Sequence, residues 1–239
     1  MPVERFFCHT PLRRDTTVSL TDKEFHHFAH VIKGQEGDSV ELIDGKGALA
    51  IATVTTVKKN QAALHIKELN ISEPPSFKII LAQAVPRTPR LDFILEKGTE
   101  LGATDFWLFP GDRSERLSLS EHHLLRMQTI TISALKQCGR LYLPNLIAMP
   151  KLKEWKMPAW TMFYGDTNPD APWFYDAIED SKMKKGIIFC IGPESGLSDS
   201  ETKALQSMGA IGVKLNDFIL RTDTAALSAL SLISQYFKS

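Results

Sequence analysis

Two hydrophobic rhythms meet near residue 73 of this 239-residue chain. Before that point, residues 38–43, 48–57 and 62–69 are enriched in Val, Ile, Leu and Thr with partial alternation, the period of strands that turn one face to a core. The turn-forming runs Asp44-Gly45-Lys46-Gly47 and Lys58-Lys59-Asn60-Gln61 join them. With one short helix over 21–32, this predicts a small β-barrel or sandwich. Glu73-Pro74-Pro75-Ser76 interrupts the pattern, which sets the expected domains at 1–72 and 73–239. Beyond it, apolar runs at 79–84, 105–109, 161–164, 187–191 and 211–215 alternate with helical stretches at 91–101, 121–137 and 223–237. Such a succession predicts an α/β fold with a parallel sheet.

Two strand-to-helix loops carry the candidate chemistry. After Ile187–Ile191, the run Gly192-Pro193-Glu194-Ser195-Gly196 forces a turn, and Ser198 with Glu201 three residues later reads as a capping box that starts a helix. The strand at 211–215 repeats the pattern, with Ile219-Leu220-Arg221 leading into a helix at Thr222 or Asp223. If the strands are parallel, both loops leave the same end of the sheet. No Lys-Ser/Thr pair follows the glycines and no GxGxxG turn is present, so phosphate cradling is not indicated. Glycines that let backbone approach a flat ligand suit an adenine or a ribose better than a pyrophosphate. A joint of Gly, Pro and a capping Ser also occurs in α/β domains that bind nothing there.

IGPESGLSDSE and ILRTDTAAL resemble the GPEGG and LR-T-E-T-A motifs of the RsmE family of 16S rRNA uridine-N3 methyltransferases, within the SPOUT class. Three further segments resemble the family's, in its order: HHFAHVIKGQEGDSVELIDGKG, FILEKGTELGATDFWLFPGDRSE and SALKQCGRLYLPNL. Together they cover nearly the whole chain. Four positions depart from the family pattern: Ser195 replaces Gly, Asp223 replaces Glu, Lys33 replaces Arg and Lys136 replaces Glu. Ser195 is strained if the loop needs a positive φ there.

The resemblance implies a SPOUT-type trefoil-knotted parallel sheet with helices on both faces, preceded by a PUA-like RNA-binding β-barrel. It implies S-adenosyl-L-methionine as cofactor, held by Gly165, Ile191, Gly192, Pro193, Glu194, Gly196, Leu215, Ile219, Leu220, Thr222, Thr224 and Ala225. The implied substrate is a uridine of small-subunit (16S) rRNA, in an assembled 30S subunit, and the implied state is a homodimer. Because N3 lies on the Watson–Crick edge, that uridine must be unpaired or flipped out. Arg221 is the candidate catalytic residue: it cannot readily act as a base, but its fork can hold a carbonyl oxygen or a flanking phosphate. It can equally cap a helix or pair with Glu194, and Glu194 itself can orient a ribose or amine or complement a helix N-terminus. The other open readings are a SPOUT methyltransferase of different RNA specificity and a catalytically decayed RNA-binding or assembly factor.

Composition adds little. Lys plus Arg and Asp plus Glu are 28 each, so net charge does not point to nucleic acid, whose phosphates usually meet a basic excess. The local distribution is less even, with Arg87, Arg90, Arg113, Arg116, Arg126, Lys136 and Arg140 in the middle third. Arg5, His26, Lys33, Arg87, Arg90, Arg113 and Arg140 are the candidate RNA contacts. His26 and His30 have metal-ligand spacing, but nothing completes a site, so no metal is expected. Three scattered cysteines indicate neither disulfides nor zinc, which fits a reducing cytosol. With no signal-peptide-like run and no apolar segment near the ~20 residues of a membrane span, a soluble cytoplasmic protein is expected.

Overall fold

The computed structural model describes residues 4–115, 119–180 and 185–237. Its chain divides into two compact units, residues 1–74 with 135–143 and residues 75–134 with 144–239.

The first unit is built on a five-stranded sheet of β1 (Arg5–Phe7), β2 (Thr17–Leu20), β3 (Ser39–Ile43), β4 (Ala48–Lys58) and β5 (Gln61–Ile71), in the order β1-β3-β4-β5-β2. The long β4–β5 ladder shifts register at Ile51/Ala52 and Val54/Thr56, irregularities that bend a sheet. Alternate residues Ala50, Ala52, Val54, Leu64 and Ile66 are buried with Phe6, Phe28 and Leu42. The helix expected over 21–32 is split. An α-helix, α1 (Asp22–His26), passes into a π-helical turn over His27–Ile32 that ends at a left-handed Lys33, whose N–H returns to the Phe28 carbonyl. Gly34 lies against the Phe28 ring, 2.0 Å from it at the position a Cβ would take, so the wide turn brings the chain where no side chain fits.

Residues 135–143, expected with the second domain, belong to the first unit because their hydrogen bonds lie there. Gly47 N–H donates to Leu141 O (3.0 Å), Leu143 N–H to Gly45 O (2.9 Å) and Tyr142 Oη to Ser72 O (2.7 Å). Lys136 pairs with Glu24 at 2.7 Å. The charge that departs from the family pattern is thereby matched inside this unit.

The second unit carries a six-stranded, all-parallel sheet in the order β11-β9-β10-β6-β7-β8. Its strands are β6 (Lys78–Ala84), β7 (Asp105–Phe109), β8 (Asn145–Ala148), β9 (Thr161–Gly165), β10 (Gly186–Ile191) and β11 (Ile211–Val213). The helices are α2 (Thr88–Glu100), α3 (Glu121–Cys138), whose last turn belongs to the first unit, α4 (Phe174–Asp180), α5 (Asp199–Ser207) and α6 (Thr222–Tyr236). Parallel strands covered on both faces are apolar throughout, not alternating. Leu81, Phe106, Phe163 and Phe189 pack with Leu91, Ile94, Leu230 and Ile233, whereas Ile80, Phe109, Ile188 and Cys190 pack with Leu205 and Leu152. β8 escapes the sequence pattern because it is an edge strand with hardly any buried residue. β11 stops at Val213, two residues short of expectation, because Lys214 turns to bridge with Trp173. No helix among the described residues is long and apolar enough to cross a membrane.

Candidate functional site

The carboxyl ends of β9, β10 and β11 open into a cavity of about 510 Å³, walled by residues 165–169, 191–197 and 213–220 with Arg113, Thr202, Thr222 and Ala225. Binding sites of α/β sheets form at this end because the strands stop and loops begin there. The wall includes Gly165, Ile191, Gly192, Pro193, Glu194, Gly196, Leu215, Ile219, Leu220, Thr222 and Ala225. Thr224 stands outside it, and so does Arg221, the exposed N-cap residue of α6. Asp166, Asn168, Lys214 and Asn216 stand in the same wall without having been expected there from the sequence. The signal for the first two was present: Asp166-Thr167-Asn168-Pro169 is turn chemistry directly after an apolar strand.

The first loop is held by its own backbone. A Cβ on Gly192 would lie 2.7 Å from Leu197 N and 2.8 Å from Gly196 C, so the chain folds back on itself where only glycine fits. Gly196 has φ +72 and its N–H donates to Pro193 O at 2.9 Å. Ser195 is absent from the positive-φ residues, so its side chain brings no strain. Beyond the loop, Ser198 caps α5: its Oγ accepts from Glu201 N–H (3.2 Å) and Glu201 Oε2 accepts from Ser198 N–H (2.8 Å). Both serine hydroxyls, Ser198 and Ser200, donate to Asp112 at 2.8 Å, and these bonds hold its carboxyl below the usual aspartate range.

The arginines at the rim are committed to acids. Arg90 bonds Asp223 through Nη1 (2.7 Å) and approaches Glu194 with Nε at 3.4 Å, so it joins the first ligand loop to the start of α6. Glu194 also accepts the N–H of Arg87, the N-cap residue of α2, at 3.1 Å. The helix N-terminus it complements is that of α2, and its ion-pair partner is Arg90, not Arg221. Arg87 grips Glu115 through Nε (2.8 Å), a contact that lowers the carboxyl of Glu115 and raises the guanidinium. Arg113 donates to Ser195 O at 3.0 Å and lines the cavity. Arg221 has no side-chain partner among the described residues, whereas Arg116 lies outside them.

In the first unit, Arg5 donates twice to Glu41, at 2.7 and 2.5 Å, so its charge is neutralised in place. Arg140 is half-buried, which draws its guanidinium below the ordinary arginine range. His26 and Lys33 are exposed. The rings of His26 and His30 stand 4.7 Å apart, but no group of three or more metal-ligating side chains exists among the described residues.

The cavity has the size of a small-molecule site and mixes apolar walls (Ile191, Leu215, Ile219, Leu220) with a few polar groups. Lys214 stands in the same wall, its Nζ 3.5 Å from Pro169 O and 3.9 Å from Asp217.

The RNA methyltransferase domain family matches residues 72–234, and the RNA methyltransferase PUA domain family matches residues 20–67. The chain is 27% identical over 231 residues to ribosomal RNA small subunit methyltransferase E of Bacillus subtilis, which covers 91% of this chain and 90% of that one. It is 28% identical over 229 residues to the Synechocystis protein of the same name, with 94% and 75% covered. The crystal structure of ribosomal RNA small subunit methyltransferase E from Neisseria gonorrhoeae, bound to S-adenosyl methionine, superposes with a TM-score of 0.87 at 28% identity over 98% of both chains.

Proposed function

The chain belongs to the RNA methyltransferase family, whose domain spans residues 72–234, and from that premise we propose that it is an S-adenosylmethionine-dependent methyltransferase of small-subunit rRNA acting on N3 of a uridine. The observation that carries this reading is the cavity at the carboxyl ends of β9, β10 and β11, walled by the two loops that resemble the family's motifs. When bound, S-adenosylmethionine supplies an electrophilic sulfonium methyl. Ile191, Leu215, Ile219, Leu220 and Ala225 would hold its apolar surface, and Glu194, Thr222 and the Gly192 backbone its polar groups.

What remains for the protein is to present and deprotonate the uridine. As N3 loses its proton to solvent water, charge spreads onto O2 and O4, and a fixed cation beside them lowers the barrier. Arg221 fills that role. Leu220 and Thr222 on either side of it line the cavity, its guanidinium has no acid to neutralise it among the described residues, and it is exposed to an incoming base. Arg113, His26 and Lys33 are RNA contacts in this reading, whereas Arg87, Arg90 and Arg5 are already ion-paired. The trefoil path is supported by a strand order in which the chain steps from β10 across β9 to β11 and then returns through α6 to pack on β6 and α2. A homodimer is supported by Phe218 and Ile219, 80% and 82% exposed at the cavity wall. The protein works in a reducing cytosol on the assembled 30S subunit.

Labelled methyl transfer tests the reading, offering small subunits from cells lacking the activity, naked rRNA and bulk tRNA in parallel. Label in small subunits with a single reverse-transcription stop is the expected result, since an N3 methyl blocks pairing. Label in tRNA alone would keep the cofactor and overturn the substrate.

A further inference from the structure

Between Ile79 and Ala84, the central strand β6 carries one polar side chain, Gln83, and it is fully buried. Two and four residues earlier on the same face of the strand, Leu81 and Ile79 are core, packed among residues of α2 and α6. Packing alone asks for another aliphatic residue at position 83.

The amide lies where the two ligand loops meet. Its Nε2 donates to Thr222 Oγ1 at 3.0 Å and reaches Gly192 O at 3.2 Å and Ala84 O at 2.9 Å. Thr222 Oγ1 in turn donates to Gly192 O at 2.7 Å. Two backbone carbonyls can only accept, which fixes the nitrogen as the end of the amide that faces them. Gly192 and Thr222 both line the cavity, whereas Gln83 does not.

We propose that Gln83 is a positioning residue of the ligand site: its amide donor sets the separation of the Gly192 loop and the Thr222 end of α6, and thereby pre-forms the cavity for S-adenosylmethionine. The inference rests on the cofactor reading above. Arg90 joins the same two segments at the surface, but it does so by ion pairs to Glu194 and Asp223 that are open to salt. Gln83 makes the tie from beneath, out of solvent.

The test replaces the donor without changing the length of the side chain. Q83M has no donor at any pH. Q83E as a carboxylate presents lone pairs to two carbonyls, but as a neutral acid it regains one O–H; burial raises a carboxyl pKa, so that form gains as pH falls. Affinity for S-adenosylmethionine is measured by calorimetry for wild type and both variants at roughly pH 6 and pH 8.5, with thermal unfolding of each ligand-free protein. Q83M is expected to bind about tenfold more weakly at both pH values, because a buried carbonyl loses its donor and the walls lose their spacing. Q83E is expected to bind more weakly still at high pH and to recover relative to wild type at low pH. Q83M within about twofold of wild type, less than 0.5 kcal/mol, overturns the proposal, even if Q83E does not fold. Equal losses in both variants, independent of pH, overturn it too, since core damage moves both alike. A wild type that binds no S-adenosylmethionine overturns the cofactor reading and this role together, whereas full binding by the variants overturns the role alone.

Discussion

The two ends of the parallel sheet are built from the same strands and finished in opposite ways. At the amino end, the first residues of β6, β7 and β8 close on one carboxylate: Asp105 accepts from Lys78 Nζ (3.1 Å), Thr104 Oγ1 (2.7 Å) and Asn145 Nδ2 (2.7 Å). Thr104 further accepts from Ile79 N–H at 3.0 Å. At the carboxyl end, β9, β10 and β11 run out into loops around a cavity of about 510 Å³. One end satisfies its polar groups internally, and the other leaves a concavity for a ligand. Stability and binding therefore reside at opposite ends of one sheet, and substitutions should separate them.

The largest effect is expected from Arg221→Ala. Turnover should fall by about 100-fold or more, the cost of removing a preorganised charge, while calorimetric affinity for S-adenosylmethionine stays within about threefold. Loss of cofactor binding instead would assign Arg221 to the cavity's structure. Next is Gly192→Ala, whose Cβ must push aside Leu197 N and Gly196 C. Affinity should drop by about tenfold or more, with a stability cost of about 1 to 3 kcal/mol, read from calorimetry and denaturant unfolding.

At the other end, Asp105→Ala should reverse this profile. The Asp105 side chain is 8% exposed, but that of its partner Lys78 is 42% exposed and can return to water. Unfolding free energy should fall by about 2 kcal/mol while cofactor affinity is unchanged. The smallest effect concerns Asp112, whose hydroxyl partners Ser198 and Ser200 depress its pKa. A depressed carboxyl contributes stability above its unfolded pKa and loses it as pH falls through the folded one. In denaturant titrations, wild type should be slightly more stable than Asp112→Asn near neutrality and should lose that margin below the ordinary aspartate range.

Features set by neighbours in sequence were legible in the sequence. β7 over Asp105–Phe109, the Ser198–Glu201 capping box and the start of α6 at Thr222 follow from local apolar runs and caps. Features set by distant partners were not. Arg90 reads as a free surface cation until Asp223, 133 residues away, comes to lie 2.7 Å from it. Lys136 reads as a reversed charge until Glu24 meets it. β8 is an edge strand without an apolar signature. Gln83 left a trace, a polar residue in an apolar strand, but its role depends on loops 109 and 139 residues further along.

Hydrogen exchange with and without S-adenosylmethionine tests the division between the two ends most directly. Bound ligand should slow exchange at residues 165–169, 191–197 and 213–225 and leave the amides around Lys78, Asp105 and Asn145 unchanged. Protection at the amino end of the sheet, or none at the three loops despite saturating ligand, would contradict it.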